Sequence, residues 1–176
     1  MEKKVFFSAD THFGSQRILE LSRRPFKDIN EMDKEIIRLW NETVKNEDTV
    51  YHLGDFGNYD IIKHLNGNIV LILGNYERKD IENGIITIEK LKEMGFTDVV
   101  NELRIPELDG IFAVHEPERC KKDEFNLFAH IHGRQLCKRY GLDVGTDGHH
   151  FRPVSKEDVL FYKTAIEKFY DNNVFD

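Results

Sequence analysis

Five apolar runs, Val5–Ala9, Val50–Leu53, Ile69–Leu73, Ile111–Val114 and Asn126–Ala129, each stop at a short polar motif, and this punctuation limits the folds open to the chain more than any other feature. The motifs are Asp10-Thr11-His12, Gly54-Asp55, Gly74-Asn75, His115 and His130-Ile131-His132. Short runs rich in Val, Ile, Leu and Phe read as strands buried on both faces, the pattern of a sheet lying between helices. Such strands deliver their ends to a common edge, so residues far apart in sequence can meet there. The fold class expected is α/β, with residues 1–176 forming a single domain, since the chain is of ordinary domain size and shows no linker.

Turn chemistry alone would favour Gly, Asn, Pro and Ser at strand ends. A lone His or Asp there is most often a turn residue or a satisfied core group. Here Asp10, His12, Asp55, Asn75, His115, His130 and His132 recur after successive runs, which turn chemistry does not explain. Three carboxylate or amide oxygens with four imidazoles suit borderline divalent ions such as Mn, Fe, Zn or Ni, and are too rich in nitrogen for Ca or Mg alone. The seven donors read as one site for two metal ions.

In this order the motifs resemble those of the calcineurin-like metallophosphoesterases, whose pattern is D-x-H, G-D, G-N-H-[ED], H and G-H-x-H. The likeness runs from Asp10 to His132, and extends to small bacterial and phage-type members through DTHFG, RPF, YHLGDF and the late GTD and RPVS segments. It implies a four-layer α/β/β/α sandwich. It also implies that Asp10, His12 and His132 hold one ion, that Asn75, His115 and His130 hold the second, and that Asp55 bridges them. The activity implied is hydrolysis of a small phosphoester, most readily a phosphodiester, by a hydroxide shared between ions ~3.5–4 Å apart.

Three departures from that pattern bear on chemistry. Gly74-Asn75-Tyr76-Glu77 has Tyr76 where most members carry the histidine that serves the leaving oxygen. A phenol is a much weaker proton donor near neutrality than an imidazolium, and losing a general acid typically reduces the rate by ~10²–10⁴-fold, most of all for basic leaving groups. Ser15 follows DTHFG where close relatives often have His, and Ala129 replaces the first Gly of G-H-x-H, a mild exchange. Asn75, Tyr76 and Arg134 are the candidate catalytic residues. Arg134 follows the His132-Gly133 turn, and its planar fork matches a phosphate, though an ordinary surface salt bridge is an equal reading.

Other histidines carry less. His52 lies inside a strand and reads as buried and hydrogen-bonded, and His64 reads as solvated on a helix. His149-His150 in the TDGHH turn either decorate a loop or swing over a site mouth, with the first favoured. Formal net charge is −7, so a generally basic nucleic-acid surface is not expected, although Arg23-Arg24, Lys121-Lys122 and Lys138-Arg139 are local basic clusters. No secretory signal and no apolar stretch of membrane-spanning length is evident, which predicts a cytoplasmic protein without a membrane partner. Cys120 and Cys137 lack metal-ligand spacing and read as ordinary thiols. The oligomeric state has no signature in the sequence.

Periodicity predicts a helix from about Ile29 to Val44, with Met32, Ile36, Leu39, Trp40 and Thr43 on its packed face. Short helices are expected near Asp60–Leu65 and Thr87–Met94, and a final one from the N-cap Ser155 to about Tyr170, with Val159, Tyr162, Ile166 and Phe169 as its apolar face. Strands near Val99–Arg104, Ile111–Val114, Leu127–His130 and Leu142–Val144 are expected to form hairpins of a second sheet. Three functions follow from these readings: a phosphodiesterase, a metal-holding scaffold with weakened catalysis, and a nuclease, the last disfavoured by the short chain and acidic balance.

Overall fold

The computed structural model describes residues 3–171 as a mixed α/β fold with two five-stranded sheets. The first sheet takes its strands from β1 (Val5–Ser8), β2 (Thr49–His52), β3 (Asn68–Ile72) and β4 (Asp98–Val100), all parallel, with β10 (Val154–Ser155) antiparallel along β1. The second runs in the order β5 (Leu103–Arg104), β6 (Ile111–Ala113), β7 (Phe125–Phe128), β9 (Gly141–Asp143) and β8 (Cys137–Lys138).

In the second sheet β6, β7 and β9 are mutually parallel, and only the edge strands β5 and β8 form antiparallel pairs. The expected hairpins are therefore confined to the two edges. The connection from β6 to β7 passes through a 3₁₀ turn at Pro117–Arg119 rather than a helix, so no helical periodicity announces the crossover. The run expected as one strand over Val99–Arg104 is split between sheets. Val99 packs among the first sheet's helices while Leu103 packs between the sheets, and the chain changes sheet at 101–102.

Helix α1 (Gln16–Leu21) was not apparent in the sequence, whereas α2 (Ile29–Thr43) has the expected bounds. The side chain of Asp28 caps α2 by accepting from the Glu31 amide at 2.9 Å, and Met32, Ile36, Leu39 and Trp40 are buried. Trp40 donates Nε1–H to the Asn66 carbonyl at 2.9 Å, so its single polar group is satisfied in the core. The segment near Asp60–Leu65 is a 3₁₀ turn at Tyr59–His64, and α4 (Ile88–Met94) has Thr87 as its cap. An additional helix, α3 (Asn75–Glu82), begins directly at the Gly74-Asn75 motif because Glu77 folds back to accept from the Gly74 amide at 2.8 Å.

Two cores follow from the pleat. Phe6, Val50, Ile69 and Leu71 on one face of the first sheet meet Met32, Ile36 and Trp40 of α2 and Leu91 of α4. Phe7, Tyr51 and Leu53 on the opposite face meet Ile111, Ala113, Leu127 and Leu142 of the second sheet. Helix α5 (Lys156–Phe169) inserts Val159 and Ile166 into this intersheet core, and Ser155 caps it through the Asp158 amide at 3.1 Å. Phe169 is 79% exposed, so the apolar face of α5 stops at Ile166. The far face of the second sheet holds buried Phe112, Asn126 and Phe128. The segment around Lys121 covers it, with the ammonium 4.7 Å above the Phe112 ring and the Asn126 side chain bonded to the Lys121 backbone. Among the described residues no helix is long and apolar enough to cross a membrane.

Gly54 and Gly74 mark the closest approach of two strand ends. A Cβ on Gly54 would lie 2.3 Å from the Gly74 nitrogen, and Gly54 has φ +86°, a conformation that L side chains rarely adopt. Gly54→Ala is therefore expected to destabilise the fold by at least about 2 kcal/mol, read from urea unfolding midpoints at constant slope.

Candidate metal centre

The parallel strands bring all five motifs to one edge. Asp10, His12 and His132 present ligand atoms within 4.8 Å of one another, and so do Asp55, His115 and His130. Asn75 joins the second group, its side-chain oxygen 3.0 Å from His130 Nδ1 and 3.2 Å from His115 Nε2. Asp55 faces both groups: Oδ2 is 3.6 Å from His12 Nε2 and 3.4 Å from His115 Nε2, while Oδ1 accepts from the Tyr76 amide at 3.1 Å. All seven donors expected from the sequence thus converge.

The backbone is strained to bring them there. Asp10, His12, Asp55, His130 and His132 have φ between +48° and +74°, a left-handed conformation that costs a non-glycine residue on the order of 1 kcal/mol or more. Five of the eight such residues among those described belong to this one cluster.

The residues fit a cation on their own hydrogen-bonding evidence. His115 donates Nδ1–H to the Leu53 carbonyl at 2.6 Å, so in the neutral ring Nε2 carries a lone pair. That lone pair points at the Asp55 and Asn75 oxygens and lies 3.3 Å from His130 Nδ1. Acceptors facing acceptors at these distances repel unless a proton or a metal ion lies between them. In the other group Asp10 Oδ2 accepts from the His130 amide at 2.9 Å, while Asp10 Oδ1 and His12 Nε2 are buried and without a hydrogen-bond partner. Buried polar atoms are seldom left unsatisfied, and two orphans in one three-residue ligand group point to a missing electrophile.

Electrostatics agree. Burial raises the Asp10 carboxyl to about 7 and lowers the His12 imidazole to about 3. Burial would lower His115 too, but its hydrogen bond to Asp55 and the charges of Asp10 and Asp55 push it up to about 9. Without a metal, the cluster of carboxylates recruits a proton to the atom that would otherwise coordinate.

Residues given no role in the sequence hold the ligands in place. Arg24, buried, donates Nε–H and Nη2–H to the two oxygens of Asp147 at 2.9 Å each, and also reaches the carbonyls of Asp10 at 2.5 Å and Thr11 at 2.8 Å. Asp147 accepts from His132 Nδ1 at 3.0 Å, which leaves Nε2 for coordination, a common arrangement behind metal-binding histidines. Glu77, fully buried, accepts from the amides of Asp55, Phe56 and Gly74 at 2.8 Å each and so clamps the Gly54-Asp55 turn to the start of α3. Burial raises its carboxyl. The signals for Arg24 and Asp147 lay in the RPF and GTD segments; that they pair across 123 residues was not readable.

A cleft of about 250 Å³ opens above the cluster, lined among others by Arg17, Leu21, Tyr76 and Arg134. Tyr76 accepts from Arg17 Nη1 at 3.0 Å and stands edge-on to His12, with ring centroids 5.2 Å apart. Arg134 is exposed and forms no ion pair among the described residues, which sets aside the salt-bridge reading. His52 is buried and bonded to Thr11, His64 is exposed, and His149 is bonded to the Asp143 carbonyl at 2.7 Å, so none of them joins the centre.

No family model matches the chain. It is 26% identical over 176 residues to the uncharacterized protein MJ1445 of Methanocaldococcus jannaschii, with 90% of each covered. The crystal structure of a protein of unknown function, AQ665 from Aquifex aeolicus, shares the fold with a TM-score of 0.66 at 24% identity, covering 91% of this chain and 99% of that one.

The Asp147 carboxyl is raised by burial but lowered more by its bonds to His132 and Arg24, and settles at about 2. A group depressed in the folded state stabilises above its unfolded pKa, near ~3.9, and that stability is lost as pH falls from about 4 through 2. Asp147→Asn is therefore expected to remove about 2–3 kcal/mol at pH 7, and the gap between variant and parent should close as pH falls toward 2 in urea titrations.

Proposed function

We propose that this chain is a phosphoesterase dependent on two divalent ions from the set Mn, Fe, Zn and Ni, and that it acts on diesters in preference to monoesters. The observation that carries this reading is the facing pair of ligand groups that share Asp55 and contain unpartnered Asp10 Oδ1 and His12 Nε2. Asp10, His12 and His132 would hold one ion, Asn75, His115 and His130 the other, with Asp55 between them. Bound there, such ions supply a nucleophile from water near neutral pH and neutralise phosphoryl oxygens.

The chain's own residues do the rest. Glu77 and Arg24 fix the backbones that carry Asp55 and Asp10, so the ligand oxygens need little rearrangement on binding. Asn75 and Tyr76 lie at the amino end of α3, whose Tyr76 amide donates to Asp55 and favours its anionic form. Arg134 offers its fork to a phosphoryl group across the cleft. Tyr76 supplies a hydroxyl where resemblance would place an imidazole, which leaves proton delivery to the leaving oxygen weak.

In this reading the two sheets form the middle of the four-layer α/β/β/α plan, with α2 and α4 as one helical outer layer, while the far face of the second sheet is covered by the non-helical segment around Lys121. Free, half-buried Cys120 and Cys137 suit a reducing cytoplasm. The acidic balance favours a small phosphoester over nucleic acid.

Chelation is expected to lower the melting temperature and Mn²⁺ to restore it, measured by calorimetry, because binding to the folded state alone stabilises it. Mn-loaded protein is expected to cleave bis(p-nitrophenyl) phosphate faster than p-nitrophenyl phosphate. Failure of both with each of the four metals, in protein that binds them, would leave a metal-holding scaffold. Tyr76→His should raise turnover of esters with poor leaving groups by about 10-fold or more, with little gain on the nitrophenyl diester.

A further inference from the structure

We propose that the bond cleaved here is a phosphoanhydride, P–O–P, and that Arg17 and Arg134 bind the phosphate that departs; this rests on the phosphoesterase reading above.

The cleft lacks an acid but has spare cations. Every histidine lining it, His12, His130 and His132, belongs to the ligand groups. Tyr76, a phenol edge-on to His12, is the remaining side-chain hydroxyl that lines the cleft. Meanwhile Arg24, Arg38, Arg78, Arg104, Arg119 and Arg152 each pair with a carboxylate. Arg17, Arg23, Arg134 and Arg139 pair with no carboxylate among the described residues, in a chain of net charge −7, and of these four Arg17 and Arg134 open into this cleft. Unpaired guanidiniums converging on one cavity are anion receptors, and their planar forks suit phosphate oxygens.

This inventory matches one kind of leaving group. An alkoxide needs a proton as it leaves, because its conjugate acid is about as weak as water, with a pKa of ~15.7. A phosphate ester leaves as a stable anion, since its second ionisation lies near pKa ~6, and what it needs is neutralisation of charge. In the step, a water oxygen bonds to one phosphorus and the bridging P–O bond breaks with its electron pair on the bridging oxygen. That oxygen departs as part of the second phosphate monoester. Both protons of the water pass to solvent, giving two dianionic monoesters above pH ~7, so nothing is oxidised and no acid is consumed.

The Arg17–Tyr76 bond adds direction. A guanidinium has no acceptor, so Arg17 can only donate to the phenol oxygen at 3.0 Å, and the Tyr76 hydroxyl proton is free to point at another oxygen. The Tyr76 backbone is held at the same time by Asp55. Tyr76 thus offers a placed neutral donor, with the remaining Arg17 N–H groups beside it and the Leu21 side chain, 51% exposed, along the wall.

The test uses the full chain loaded with Mn²⁺ and three substrates: P1,P2-di(adenosine-5′) diphosphate, thymidylyl-(3′→5′)-thymidine and bis(p-nitrophenyl) phosphate. The expected result is a kcat/KM at least about 100-fold higher for the anhydride than for the dinucleotide alkyl diester. Arg17→Gln and Arg134→Gln should each lower the ratio of anhydride to nitrophenyl-diester activity by about 10-fold. Each should also weaken calorimetric binding of the uncleavable methylene-bridged analogue by a similar factor. Hydrolysis of the nitrophenyl diester without preference for the anhydride, or equal losses on both substrates in the two variants, would overturn this inference and leave the phosphoesterase reading standing. No hydrolysis of any of the three would overturn both.

Discussion

The structure depends on the burial of two carboxylates, Asp10 and Asp55, at one edge shared by two sheets. Taking charged oxygens out of water is expensive unless they are paired, and the chain surrounds these two with four imidazoles in place of arginines or lysines. Imidazoles are conditional partners: they can hold a proton when no metal is present and release it when one arrives. Topology follows from this requirement. Only parallel strands present their carboxyl ends together, and β1, β2 and β3 in one sheet and β6 and β7 in the other do so.

The cluster runs against stability at almost every atom, and the surrounding structure opposes this with fixed donors. Five of the candidate ligands sit in left-handed backbone, two of their atoms lack hydrogen-bond partners, and Gly54 and Gly74 approach too closely for side chains. Against this, Glu77 satisfies three amides and Arg24 satisfies two carbonyls and a carboxylate. Each of these clamps is a buried charge with several hydrogen bonds, which resists deformation more strongly than apolar packing would. Strain of this kind persists where neighbouring contacts over-determine the geometry, and a preorganised ligand set is the usual reason to hold it.

Legibility in the sequence divides along physical lines. Strands β1, β2, β3, β6 and β7 were readable because apolar runs ending in polar motifs are local patterns, and α2 and α5 because a cap and a 3.6-residue period are local too. All seven metal-type donors were readable for the same reason. The parallel pairing of β6, β7 and β9 was not, since their connections carry no helix, and neither was the move of β4 into the first sheet, since Val99 and Leu103 are equally apolar and only packing separates them. Phe169 was misassigned because helical spacing continues past the point where the core ends. Arg24, Asp147 and Arg17 act through partners 123 or 59 residues distant, and such pairings exist only in the folded chain.

Tyr76, standing where the family resemblance would place an imidazole, reads differently once Arg17 is in view. Taken alone, a tyrosine at this position is a lost acid and suggests decay. On the proposed reading, Arg17 against the phenol and Arg134 without a carboxylate partner put two guanidiniums at the cleft, whereas Arg24, Arg78 and Arg119 are neutralised by carboxylates. Unpaired guanidiniums would repel the pair of divalent ions proposed for the centre, an unfavourable term that grows as water is excluded from the cleft. It is offset when an anion with more charge than a single diester fills the space between them. In the proposed reading, the cations in the cleft are therefore half of an ion pair whose other half would arrive with an anionic substrate.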